Sequence, residues 1–318
     1  MVKKSFTLIE LLFVIVILSF VLIGSFRIVE KLYKRNYIAK TTAKYELITQ
    51  QTLDYIAGII YYRIPLTTIG YRVSDNDFKY IGDIDDDNHS VIEWIGYNFE
   101  SFIDRNMSSF IDMDGSDKNN NLLKALDFNA TLLKDIVSNK FNTSFDYDKN
   151  LTALLFSGSF DRGEEASLND YNSSFGWHGN KHKYIFTIND YNQTDNDTYI
   201  KLREHPNKIY ERFFIGDSAY AIALKKDLNS SNFSNCKDLD LNRVSDDSLL
   251  LFYNYRPWNG ETFCADNNGS SEGNVSILMD GVKTFRVRSV NSHLELLLEV
   301  NKTKNGISIY ISKQKVVF

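Results

Sequence analysis

Glu10 is one carboxylate in an otherwise apolar run: across residues 6–26 only Thr7, Glu10, Ser19 and Ser25 are polar. A charged side chain inside a membrane span costs roughly 2.5–3.5 kcal/mol on insertion scales, so its presence calls for a partner. The chemistry it offers is ion pairing, and an amine at the same depth is the fitting complement. A second pattern is Asn-x-Ser/Thr, the acceptor sequence for N-linked glycan, which occurs thirteen times. In ten of these, at Asn88, Asn106, Asn129, Asn150, Asn172, Asn192, Asn229, Asn268, Asn274 and Asn301, an Asp or Glu stands two residues before the Asn. That is far more often than an acid frequency of 41 in 318 gives by chance.

The other reactive residue types are sparse. Cys236 and Cys264 are the only cysteines, set in polar surroundings with no Cys-x-x-Cys pair and no neighbouring His. A disulfide is the expected use, worth roughly 3–4 kcal/mol in the chain-entropy picture. Acids alternate in residues 83–88 and 112–117 and suit a hard cation, which makes Asp112, Asp114 and Asp117 the calcium candidates. Neither stretch is an EF-hand, because Trp94 and Leu123 stand where the bidentate Glu belongs. His178 and His182 have zincin spacing, but Gly176 and Gly179 disfavour a helix and no Glu follows His178. Trp177 and His178 therefore read as a packed loop. With no Gly-x-Ser-x-Gly, phosphate-binding glycine loop or dinucleotide fingerprint, neither enzymatic activity nor a resident cofactor is expected.

The elements that position these residues begin with a helix. Residues 6–26 are just long enough to span a bilayer, and no small-x-small cleavage site follows them. Apolar residues continue at helical spacing through Ile28, Leu32, Ala39, Ala43 and Leu47, and again through Tyr45, Ile48, Ile56 and Ile59. Pro65 disfavours helix at Ile64, so a rod of about 85 Å is predicted, half in lipid and half covered by a folded domain. Beyond it, residues 90–140 suggest a partly helical insertion, with helical periodicity at residues 122–126 and 132–137. From residue 183 onward strand signals dominate, punctuated by Asn259-Gly260, Asp280-Gly281 and Asn305-Gly306 as hairpin turns. The fold class is α+β. Past Pro65 there are 27 basic and 37 acidic residues, and that negative field makes nucleic acid an unlikely partner.

Lys4-Ser5-Phe6-Thr7-Leu8-Ile9-Glu10 resembles the amino terminus of type IV pilin-like proteins, the family of pilins, minor pilins and pseudopilins. The resemblance implies a leader of residues 1–5, cut by a prepilin peptidase between Ser5 and Phe6, with methylation of the new Phe6 amine. Ser5 stands where the family usually has Gly. Glu10 then falls fifth in the mature chain, where the amine of a neighbouring subunit shifted along the axis would meet it. The implied layout is a transmembrane half (residues 6–26), an amphipathic half (residues 27–64) and a periplasmic domain (residues 66–318) on a bacterial inner membrane protein of one pass. Gly281-Val282-Lys283-Thr284-Phe285 resembles the start of the carboxy-terminal sheet of larger minor pilins and pseudopilins. Size points to a minor pilin or minor pseudopilin, whose partners are other pilin or pseudopilin subunits, prepilin peptidase and the inner-membrane assembly platform. The rival expectation is a ligand-binding or enzymatic domain that uses the helix only as a tether. Some pseudopilins bind calcium, and Asp/Glu-x-Asn-x-Ser/Thr resembles the acceptor of a bacterial periplasmic oligosaccharyltransferase.

Overall fold

Helix α1 (Leu8–Tyr61) is one uninterrupted element of 54 residues in the computed structural model. The structure describes residues 7–318 except 85, 87, 104–106, 160–172, 195–196, 229–234, 237–238, 265–269, 272, 292 and 305–306. The helix starts where Thr7, in extended conformation, accepts from the Glu10 N–H, and it stops short of Ile64-Pro65. Its end is pinned to the domain, since Ile64 N donates to Ile95 O at 2.8 Å.

The strands that follow are β1 (Ile69–Arg72), β2 (Asp77–Tyr80), β3 (Val91–Tyr97), β4 (Ile111–Asp117) and β5 (Leu122–Ala125). After α2 (Ala130–Phe141) come β6 (Ala153–Phe156), β7 (Phe186–Gln193), β8 (Thr198–Leu202) and β9 (Phe213–Leu224). The last group is β10 (Asn235–Cys236), β11 (Leu239–Asp240), β12 (Leu249–Tyr255), β13 (Glu261–Thr262), β14 (Ser270–Ser271), β15 (Asn274–Met279), β16 (Val282–Val290), β17 (His293–Lys304) and β18 (Ile307–Val317). One large sheet runs β2-β1-β3-β9-β6-β7-β8-β5-β4, with β12 and then β15 joined at β9. A separate antiparallel sheet of three strands has the order β16-β17-β18.

The small sheet and one face of the large sheet enclose the distal part of α1. Leu53, Ile56 and Ile60 of the helix share a core with Trp94, Ile222 and Leu251 of the large sheet and Val287, Leu296 and Leu298 of the small one. The spacing of Thr49, Thr52, Leu53, Ile56, Ala57 and Ile60 is that of one helix face, and all six are buried. Lys313 and Lys315 point back to the helix, where they meet Gln50 and Asp54. The long helix packed on antiparallel sheet matches the expected α+β class.

Four expectations need correction. The stripe was to be covered from residue 27, but every residue from 8 to 40 is exposed, and Leu47 is still 59 % exposed. The covering strands reach only the last turns, so helical periodicity alone overstated the covered length. Residues 122–126 are not helical: Leu122–Ala125 is β5, with Leu123 and Ala125 buried and their neighbours half-buried. A four-residue segment is too short to distinguish the periods, and here sheet pairing with β8 decides. Nor do residues 90–140 stand apart from the sheet, because β3 pairs with both β1 and β9; among the described residues only α2, capped by Asn129, is α-helical there. Finally, Asn259-Gly260 and Asp280-Gly281 make no hairpins. Gly260 (φ 72°) ends a 3-10 turn, and Gly281 (φ 81°) carries the chain from β15 in the large sheet to β16 in the small one. Such pairs announce positive φ, which a crossing uses as readily as a hairpin. At the third site β17 and β18 do pair, with Lys304 opposite Ile307, and Asn305 and Gly306 lie outside the described residues.

Candidate functional site

The first turn of α1 carries the site the sequence singled out. Glu10 Oε2 accepts from the Thr7 N–H at 3.0 Å and from the Thr7 hydroxyl at 2.9 Å, while Thr7 Oγ1 accepts from the Glu10 N–H at 3.4 Å. This reciprocal capping box satisfies donors that the first turn would leave orphaned. The sequence reading missed it, although Thr-x-x-Glu is its signature. Both contacts use one oxygen, so Glu10 Oε1 has no hydrogen-bond partner among the described residues. Further along, Ser19 and Ser25 donate to the carbonyls of Ile15 and Val21, which hides their hydroxyls from an apolar surrounding. The helix is long and apolar enough to cross a membrane, and its most apolar window is 0 % buried by the rest of the chain. Charge resumes only after residue 26, where Glu30 and Lys34 pair at 2.9 Å.

The remaining candidates fare unequally. Ser5, Phe6, Asn106, Asn172, Asn229 and Asn268 lie outside the described residues. Asn88, Asn192 and Asn301 are exposed. Asn129 caps α2, accepting from the Leu132 N–H at 2.9 Å. Asn150 and Asn274 are half-buried, each with an enclosed Oδ1 that has no partner among the described residues. Cys264 is wholly buried and disulfide-bonded, and the side chain of Cys236, the chain's other cysteine, lies outside the described residues. Of the calcium candidates, Asp112 accepts from the Gly115 N–H and faces Lys124 at 3.4 Å, contacts that hold its carboxyl below the usual range. Asp117 caps the turn at Asn119 and Asn120, and Asp114 is exposed. Among the described residues no three His, Cys, Asp or Glu side chains come together to hold a metal.

Two buried polar networks went unread in the sequence. Glu93, on β3, is buried with His178 Nε2 at 2.7 Å from Oε1 and the Tyr255 hydroxyl donating to Oε2 at 2.8 Å. His178 stacks on Tyr71 with ring centroids 3.8 Å apart. Its turn requires Gly176, where φ is +79° and a Cβ would meet the Pro257 carbonyl oxygen at 2.6 Å. Asp217, also buried, takes Lys140 at 2.8 Å and the Asn98 amide at 2.8 Å, joining α2 to β9. Both triads are drawn from distant segments, so no local spacing could reveal them. Their enclosure suits them to holding elements together.

A third polar contact gives the domain a pH signature. The buried His89 imidazole lies 2.9 Å from Asp86 and 3.1 Å from Asp77. Hydrogen bonds from His89, then from the Asn88 N–H, hold the Asp86 carboxyl down at about 2, against its usual 3.8. A lowered folded-state pKa stabilises above 3.8 and is lost as pH falls toward about 2. Burial pushes the Tyr97 hydroxyl up from 10.0 to about 12, so its contribution is complete below pH 10.0 and lost as pH rises through about 12. Urea midpoints should therefore fall as pH drops through the first window and as it rises through the second. A midpoint that is constant down to pH 2.5 would refute the Asp86 part.

Residues 1–26 match the family model described as the prokaryotic N-terminal methylation motif. No curated protein and no solved structure matches the chain.

Proposed function

The chain is type IV pilin-like at its amino terminus, and from that premise we propose that it works as a minor pilin or minor pseudopilin, a non-enzymatic subunit of a filament or pseudopilus. The observation that carries this reading is Glu10, a carboxylate with one oxygen spare on a helix whose first 33 positions, residues 8–40, are exposed. Such a charge stabilises nothing within the subunit beyond one helical turn. It gains a full partner when the freed amine of Phe6 on a second subunit, displaced along the axis, comes level with it, and so it fixes register between subunits. Prepilin peptidase would free that amine by cutting after Ser5, and the assembly platform would receive the helix from the inner membrane. The domain then lies in the periplasm. The test is neutralisation of Glu10 by Glu10→Gln, read as incorporation into filaments.

An oxidising compartment also predicts the covalent state of the domain. A peptide map of the native protein, run without reduction, should contain a Cys236–Cys264 cross-linked pair. The same map should show glycan mass on the exposed sites Asn88, Asn192 and Asn301 before the half-buried Asn150 and Asn274. Free thiols at both cysteines, or bare Asn at all three exposed sites, would remove the corresponding part of the proposal.

A further inference from the structure

Asp217 brings an amine and a carboxamide together on one oxygen. Its Oδ2 lies 2.8 Å from Lys140 Nζ and accepts from the Asn98 side-chain amide at 2.8 Å. Its Oδ1 also accepts from Lys140, at 3.0 Å. The other end of the amide is held as well, since Asn98 Oδ1 accepts from the Ser101 N–H at 3.2 Å and from the Ser101 hydroxyl at 2.6 Å. Asn98 and Ser101 are buried and Asp217 is completely so, whereas the Lys140 side chain, 27 % exposed, gives the group its access to water.

Asn98 caps the 3-10 turn at Phe99–Phe102, which accounts for the bond from the Ser101 N–H. A cap requires neither the Ser101 hydroxyl nor a buried Lys–Asp pair at the amide nitrogen. Those groups fit the parts of an acyl transfer from one nitrogen to another. Lys140 is the nucleophile and Asn98 Cγ the electrophile, and Ser101 offers two donors where negative charge develops on Oδ1. Asp217 touches both the nitrogen that attacks and the nitrogen that leaves, the position of a shared acid and base. Holding amine and amide together replaces the encounter that is too improbable to join them in water.

We propose that Lys140 and Asn98 become joined by an amide bond between their side chains, formed after folding with Asp217 as its catalyst. Asp217 first takes a proton from the Lys140 ammonium, which turns an enclosed ion pair into two neutral groups. Burial favours that transfer and the charge of Asp217 opposes it, with a balance that keeps Lys140 above the usual lysine range, so the step is slow. A single turnover per chain tolerates a slow step. The neutral Nζ then attacks Asn98 Cγ, and the tetrahedral centre places its charge on Oδ1. Asp217 passes its proton to Nδ2 and receives one from Nζ. The Cγ–Nδ2 bond breaks, the Nζ–Cγ bond remains, and ammonia leaves with the last proton as ammonium. Nothing is oxidised or reduced. The product ties α2 to the chain leaving β3 by a bond that no reductant opens, and it forms whether or not α1 assembles.

The test is a tryptic map of the full-length chain, purified in detergent and reduced before digestion. One branched peptide is expected, joining the segments that contain Asn98 and Lys140, lighter than its two parts by one ammonia and uncut at Lys140. Lys140→Arg keeps the charge opposite Asp217 and should lose the branched peptide entirely. Asp217→Ala retains both joined residues and should lose it too. Separate peptides of unaltered mass from the native chain would overturn the proposal. So would an intact link in folded Asp217→Ala, or a branched peptide lighter by one water and joined at Asp217, which would make the acid the acceptor. If Asp217→Ala does not fold, the map of the native chain still decides.

Discussion

Glu10→Gln should leave the protein folded and inserted yet reduce its incorporation into filaments by roughly 100-fold or more, the scale of removing one partner from a desolvated ion pair. The substitution is chosen because of the capping box. Gln serves in that motif as Glu does, so the Thr7 contacts at 3.0 and 2.9 Å survive while the charge disappears. Glu10→Ala removes both charge and cap, adding a loss of about 1 kcal/mol at the helix start. Comparing the two separates the roles. If the carboxylate is only a cap, Gln will be silent and Ala mildly disruptive; if it pairs between subunits, both will fail to assemble. Quantifying the protein in sheared filaments or in the cross-linked pseudopilus, against its level in membranes, gives the answer. Normal incorporation of the Gln variant would end the assembly reading and favour a tether.

The second large effect is expected inside the domain. Glu93→Ala should lower the unfolding free energy by about 3–5 kcal/mol, a large share of the 5–15 kcal/mol of a typical domain. Glu93 joins three parts of the chain: its own strand β3, the turn holding His178, and β12 through Tyr255. Removing the carboxylate breaks both hydrogen bonds at a site with almost no access to water. Tyr255→Phe deletes only one, and a loss nearer 0.5–1.5 kcal/mol is expected. Urea unfolding of the full chain in detergent, followed by tryptophan fluorescence, would report it through Trp94 and Trp177, both buried in the domain. A loss for Glu93→Ala below about 0.5 kcal/mol would show that the network is dispensable.

The helix was legible because its signals are local: an apolar run, no proline before Pro65, and one charge in the wrong solvent. The last sheet was legible for a similar reason, since the strand signals that dominate from residue 183 onward include those of β16, β17 and β18. What failed was whatever depends on distant pairing. Leu122–Ala125 became a strand because β8 lies beside it, and Asp280-Gly281 became a crossing because β15 and β16 found different partners. The extent of helix coverage depended on how far the small sheet reaches. At the amino terminus the charge of Glu10 was readable from its surroundings, but its contact with Thr7 was hidden behind the more conspicuous question of a partner.

The uncovered length of α1 has a mechanical consequence. Residues 27–40 form about 21 Å of exposed helix, at 1.5 Å per residue, between the apolar run and the domain. With the preceding segment in a bilayer, the domain is held at that standoff by one stiff strut, with no proline to absorb a bend. Thrust or torque applied at the membrane end therefore arrives at the sheets as displacement of the whole head. A proline placed at Lys31 would turn the strut into a joint and separate how firmly the protein is anchored from how faithfully its head is driven.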